Sequence, residues 1–280
     1  MNYKECKEKL REYILARIPF IVIETIEKRR AINMLKEISK ETNLEMAVSS
    51  MSKGTYNIIN NEKLDDSKTA ISTLDYFANQ INSKDNMTLI FTDIPDIENE
   101  TVTSRYLYDI VSMAEEKNSG IIVIKDTPVW SNLARMGISI ELSLPDEKEI
   151  LKIITDTLNY YKNRVNIEWT EENYKEAATV LLGLSEIEVK NILSSLVASG
   201  TITHDDLVDL KYTKDSMFDD ISGLEKIDVD EDLSYGGLEN LKYWLDEKEK
   251  LMSPTKREQM KKLHIKSPRG ILVVGVSRLS

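Results

Sequence analysis

Four short apolar runs set the frame of this chain: Phe20-Ile21-Val22-Ile23, Met46-Ala47-Val48, Leu89-Ile90-Phe91 and Ile121-Ile122-Val123-Ile124. Each is separated from the next by a stretch long enough for a helix, with apolar side chains three and four residues apart. Continuous apolar runs of this length are the pattern of strands buried on both faces, as in a parallel sheet. Strands that alternate with helices of ten or more residues imply a parallel sheet with helices packed against it. The expectation is therefore an α/β core over residues 1–145.

Residues 2–17 carry Leu10 and Ile14 among charges and read as a first amphipathic helix, stopped by Pro19. A second helix follows the first strand through about Lys40. Residues 53–66, with Gly54 and the Asn60-Asn61 pair, read as a surface connection. Residues 69–82 read as a helix whose inward face is Ile71, Leu74, Phe77, Ala78 and Ile81, and residues 101–118 as another. After the strand at 120–126 the expectation is an exposed turn, a further strand and a stop at Pro145-Asp146.

From there the pattern becomes helical over residues 146–218. Asp146 with Glu149 and Ser185 with Glu188 are N-cap pairs at capping-box spacing, and Thr170 opens a helix between them. The helix after Ser185 is expected to bury Ile187, Ile192, Leu193 and Leu196, and a last one begins near His204. Residues 219–234 change character: between 219 and 232 seven acids stand against Lys226 alone. That stretch reads as an acidic interdomain linker. Residues 242–269 are locally basic.

The 280 residues are 41% hydrophobic and carry a formal charge of −11. A chain of that charge repels nucleic acid and anionic membrane, so neither is expected as a partner. Cys6 has no second cysteine to pair with, the first residues are charged, and no apolar run reaches membrane-span length. A cytoplasmic location is the expectation.

Near the end, Gly270-Ile271-Leu272-Val273-Val274-Gly275 has the form of a buried strand leading into a loop. A phosphate-binding loop has the spacing G-x-x-x-x-G-K-[ST], in which backbone N–H groups and the lysine hold phosphates and the hydroxyl holds magnesium. Counted from Gly275, the second glycine falls on Ser280, and Ser277-Arg278-Leu279-Ser280 matches no such loop. The earlier junction, Glu24 to Arg30, contains no glycine at all, so its backbone is not expected to approach a phosphate closely. Lys28, Arg29 and Arg30 read as a solvated helix face.

Ser234-Tyr235-Gly236-Gly237-Leu238-Glu239-Asn240-Leu241 followed by Pro268-Arg269-Gly270-Ile271-Leu272 resembles the entry to an AAA ATPase module. The wording resembles in particular the AAA ATPases of the hypothetical chloroplast reading frame type, which carry a degenerate AAA-like module ahead of the working one. The resemblance implies a degenerate AAA-like core at 1–145, its helical lid at 146–218, the linker, and at 235–280 the start of a second module cut off at its phosphate loop. It makes Gly236, Gly237 and Gly275 remnants of a nucleotide site. Asp93, at the end of an apolar strand, takes the position of the carboxylate that holds magnesium in nucleotide hydrolases, or else serves as a turn residue there. It is followed by Ile94, where AAA enzymes have a glutamate. Arg135 stands where an arginine finger would precede the last strand.

The resemblance implies ATP and magnesium for the full-length family, a ring-forming remodelling protein, a homo-oligomer or intact AAA subunits as partners, and an unnamed protein substrate. As encoded, the chain is expected to hold no cofactor and to turn over no ATP. The alternatives are a non-enzymatic interaction or assembly module and an ATP-binding remodelling protein. Metal-ligand spacing, serine-hydrolase elbows and Cys-His pairs are not found in the sequence, and no metal is expected.

Overall fold

The computed structural model describes residues 1–219 and 239–252. The chain divides into two units, residues 1–224 and 225–280. The first unit opens with α1 (Tyr3–Leu15), β1 (Phe20–Glu24), α2 (Lys28–Thr42) and β2 (Met46–Ser50). An antiparallel hairpin follows, β3 (Gly54–Asn57) and β4 (Lys63–Asp65). Then come α3 (Ala70–Ser83), β5 (Thr88–Phe91), α4 (Val102–Glu116), β6 (Gly120–Lys125), the one-turn α5 (Ser131–Ala134) and β7 (Ile138–Glu141).

These strands form one sheet in the order β4-β3-β2-β5-β6-β1-β7. The pairs β2 with β5, β5 with β6, β6 with β1 and β1 with β7 are all parallel. Because side chains alternate along a strand, each buried strand feeds two cores. Phe20, Val22, Leu89, Phe91, Ile121 and Val123 pack with α3 and α4 on one face. Ile21, Ile23, Ile90, Ile122 and Ile124 pack with α1 and α2 on the other, where the buried Cys6, Leu10 and Ile14 of α1 meet them. The parallel sheet flanked by helices is as the apolar runs imply.

The sheet is nevertheless mixed. Residues 53–66 are the β3–β4 hairpin and not a plain connection, with β3 antiparallel to β2. The strands are four and three residues long and only half buried, so they carry too short an alternation to read. Gly54 permits the close approach: at φ +73° its backbone lies where a Cβ would stand 2.5 Å from Asp65 O. The helical face of α3 is also shifted from expectation, since Thr73 is buried and Ile71 lies at the surface. The expected turn near 131 contains the one-turn α5.

The helical part is α6 (Glu147–Tyr161), β8 (Asn166–Ile167), α7 (Glu171–Val180), α8 (Glu186–Ala198), β9 (Thr201–Ile202) and α9 (Asp206–Asp219). Asp146–Glu149, Thr170–Asn173 and Ser185–Glu188 each form a reciprocal capping box. Such a cap satisfies two orphan donors at a helix start. The core of this part is Ile150, Ile154, Leu158, Ala177, Leu181, Val189, Ile192, Leu193 and Leu210. Ile187 is exposed, contrary to expectation, and Val189 fills its place. The short parallel pair of β8 and β9 was not legible from two-residue runs.

In the second unit the described element is α10 (Glu239–Met252), in the stretch expected to follow a Gly-Gly-Leu turn. Gly236, Gly237, Gly275, the acidic stretch from 220 and the apolar run 270–275 lie outside the described residues. Among the described residues no helix is long and apolar enough to cross a membrane.

Candidate functional site

In an open α/β sheet, ligands sit beyond the carboxyl ends of the parallel strands, where loops and helix starts converge. At that edge β1 ends in a three-residue connection, Thr25-Ile26-Glu27, before α2 begins. A phosphate loop would stand here. Instead the connection folds on itself: Thr25 Oγ1 accepts the Glu27 backbone N–H at 3.0 Å, and Thr25 N–H donates to Lys125 O at 2.9 Å. Glu27 itself is turned inward, its side chain 2% exposed.

Around Glu27 the structure assembles an ion cluster. The Arg30 guanidinium, 5% exposed, donates to Glu149 Oε1 at 3.0 Å and to Ser143 O at 3.0 Å. It lies 3.9 Å from Glu186 and 4.0 Å from Glu27. Glu27 Oε1 accepts the Glu186 backbone N–H at 2.7 Å, so a carboxylate of the sheet domain caps the start of α8. A negative group at a helix N-terminus is favoured by the unpaired N–H groups and the dipole. Burial pushes the Glu27 carboxyl above its ordinary range, opposed by that N–H and by Arg30. The cluster thus joins α2 of the sheet domain to α6 and α8 of the helical part.

Across β6, the end of β5 is open. Asp93, two residues beyond β5, is 62% exposed and 3.7 Å from Lys28 Nζ. It borders a cavity of about 330 Å³ at the ends of β2 and β5, with Phe91 and Pro95 on the apolar side and Ser49 and Thr73 on the polar side. Ser49 and Thr73 share a buried hydroxyl contact of 3.3 Å. Beside it Lys125 pairs with Glu98 and holds that carboxyl below the ordinary range.

Of the residues singled out from the sequence, Asp93 and Lys28 are brought together. Arg135 is exposed at the end of α5 and makes no ion pair among the described residues. The reading of Arg30 as solvated is corrected: it is buried. The signal was present, because Arg30, Met34 and Ile38 are four residues apart and share one face of α2. Glu27, Glu149 and Glu186 were missed as partners because three separated segments supply them. Among the described residues, no three His, Cys, Asp or Glu side chains are grouped to hold a metal.

Residues 6–142 match the family model of the N-terminal domain of SpoVK-like AAA ATPases. Solved structures similar to the chain include C. elegans PCH-2, at 10% identity over 77% of this chain and 68% of that one, with a TM-score of 0.52. Another is the FIGL-1 AAA domain in complex with ADP, at 11% identity over 88% of this chain and 87% of that one, with a TM-score of 0.53. No curated protein sequence matches. At such identities the structural likeness is one of fold, and the match to the AAA ATPase family model is confined to residues 6–142.

Proposed function

We propose that this chain is the N-terminal, non-catalytic portion of an AAA-family ATPase, its first module closed to nucleotide at the β1–α2 junction. One observation carries the reading: the junction is filled by the buried Glu27 carboxylate and its Arg30 partner. A phosphate brought there meets a buried negative charge and must displace it from the α8 N-terminus. The residues present do not fit ATP with magnesium at this junction, although the FIGL-1 AAA domain was solved with ADP. No catalytic step is derived through it.

In this reading residues 1–145 are the degenerate core, 146–218 the lid, 219–234 a linker, and 235–280 the start of a second module of the hypothetical chloroplast reading frame type. Gly236, Gly237 and Gly275 are its nucleotide-site remnants, and a cytoplasmic place goes with it. Calorimetry of the full chain with magnesium and ATP tests the proposal: the expected trace shows no submillimolar binding, and a submillimolar isotherm overturns it.

The second reading is an assembly module, favoured by the ion cluster that pins lid to core. A rigid module suits a structural role in a homo-oligomer or beside intact AAA subunits. Its test is co-elution with an intact AAA subunit on size exclusion, and separate elution at equal loading counts against it.

A further inference from the structure

Above the ion cluster a groove of about 490 Å³ runs between α2 and the helices α6 and α8. Tyr3, Arg30 and Ile153 line it together with Lys36 and Lys40 of α2 and Lys152 of α6. A shallower cup adjoins it through Glu149 and Lys152 and adds Lys4 and Lys148. The carboxylates here, Asp156 apart, are engaged. Glu149 serves Arg30 and the Asp146 N–H, Glu186 serves Lys190, and Glu37 serves Lys7 and Tyr3.

The five lysines are not. Among the described residues Lys4, Lys36, Lys40, Lys148 and Lys152 make no ion pair or side-chain hydrogen bond, and Asp156 is the one carboxylate of the groove left unengaged. In a chain of formal charge −11 this is a local reversal of sign. Cations from two parts of the fold converge on one seam, and the carboxylates set among them, Asp156 apart, are already engaged. Complementary charge would steer a partner to it and fix its register.

We propose that this seam binds an acidic polypeptide segment in extended form. The shape argues for a polymer, since the eight residues from Asn33 to Lys40 alone cover about 10 Å of helix. The interruption of the lysines by Asp156 and Glu37 argues for peptide over nucleic acid. A phosphodiester backbone repeats its charge at every step and would meet those carboxylates, whereas a peptide places neutral residues opposite them. The bound segment bridges α2 and α6, directly over the cluster that joins them.

The test is fluorescence anisotropy of a labelled Glu-rich peptide of about ten residues, enough to span about 30 Å extended, titrated with the full chain. Saturable, salt-sensitive binding is expected, and the triple variant Lys36→Glu/Lys40→Glu/Lys152→Glu weakens it by about tenfold or more. A control with the same charge change on other faces, Lys9→Glu/Lys68→Glu/Lys175→Glu, leaves it within about twofold. Equal loss in both variants reduces the effect to net charge and overturns the site. Tighter binding of a single-stranded RNA of equal charge overturns the choice of partner. Should the triple variant not fold, carbodiimide cross-linking of the peptide to the wild-type chain decides. Links concentrated on the five lysines support the seam, and links spread over the surface refute it.

Discussion

Two strand ends of one sheet, separated by β6, treat the same kind of ion pair in opposite ways. Beyond β1, Arg30 and its carboxylates are sealed, with Arg30 5% and Glu27 2% exposed. Beyond β5, Lys28 and Asp93 stand 3.7 Å apart at 45% and 62% exposure. In water a loose pair gains little and is screened by salt, so the open end is chemically available and energetically minor. In the sealed end each charge depends on the others, because an unpaired ion left inside is strongly unfavourable. Solvent access decides which pair builds structure and which is free to meet a ligand.

The largest expected effect comes from opening the sealed end. Arg30→Met should lower unfolding stability in urea by about 3–5 kcal/mol, since three carboxylates lose their cation. Adding Glu27→Gln should restore about 1–3 kcal/mol by removing the buried charge that was stranded. Strict additivity of the two substitutions would show that Glu27 and Arg30 do not act as one cluster.

A smaller effect is expected at the helix that Glu27 caps. Ser185→Ala removes the other half of the α8 start, and thermal unfolding should report a loss of about 1 kcal/mol. No change in melting temperature would mean that Glu27 alone holds that terminus.

Acidity should separate the two ends by sign. Glu27 has its carboxyl raised in the folded state above the ordinary 4.5. The folded form therefore holds the proton more tightly, and this contribution to stability is fully present at low pH and lost as pH rises through the raised value. Relative to Glu27→Gln, the wild-type chain should become less stable as pH climbs from about 4.5. Glu98 is lowered by Lys125, so its contribution is present above 4.5 and disappears as pH falls through its folded value. Stability curves of Glu27→Gln and Glu98→Gln that diverge from wild type in the same direction would contradict this contrast.

The smallest effect belongs to the open pair: Asp93→Ala or Lys28→Ala should change stability by no more than about 0.5 kcal/mol. A loss comparable to that of Arg30→Met would erase the distinction between the two strand ends.

Much of this architecture could be read from the residues. Apolar runs located β1, β2, β5 and β6, capping pairs located the starts of α6 and α8, and Thr170 marked the start of α7, because burial and orphan N–H groups act over a few residues. The β3–β4 hairpin and the β8–β9 pair escaped because their strands are too short to show a period. The candidate site was legible only in part. Asp93 was found as the last acid of an apolar strand, but the burial of Arg30 depends on Ser143, Glu149 and Glu186, which only the folded chain brings to it. Ile71 and Ile187 show the converse: helical spacing nominated them for the core, and the tertiary packing left them at the surface.

Cys6 lies fully buried in α1, against the same face of the sheet that α2 covers, and its thiol is pushed up to about 11. At neutral pH it is therefore almost wholly protonated and out of reach of alkylating reagents. Since the chain has one cysteine, any labelling that does occur counts the moments when α1 lifts from the sheet. The native sequence thus carries its own clock for local opening. The rate at which iodoacetamide consumes that thiol, in wild type and in Arg30→Met, measures how far loosening the ion cluster travels through the fold.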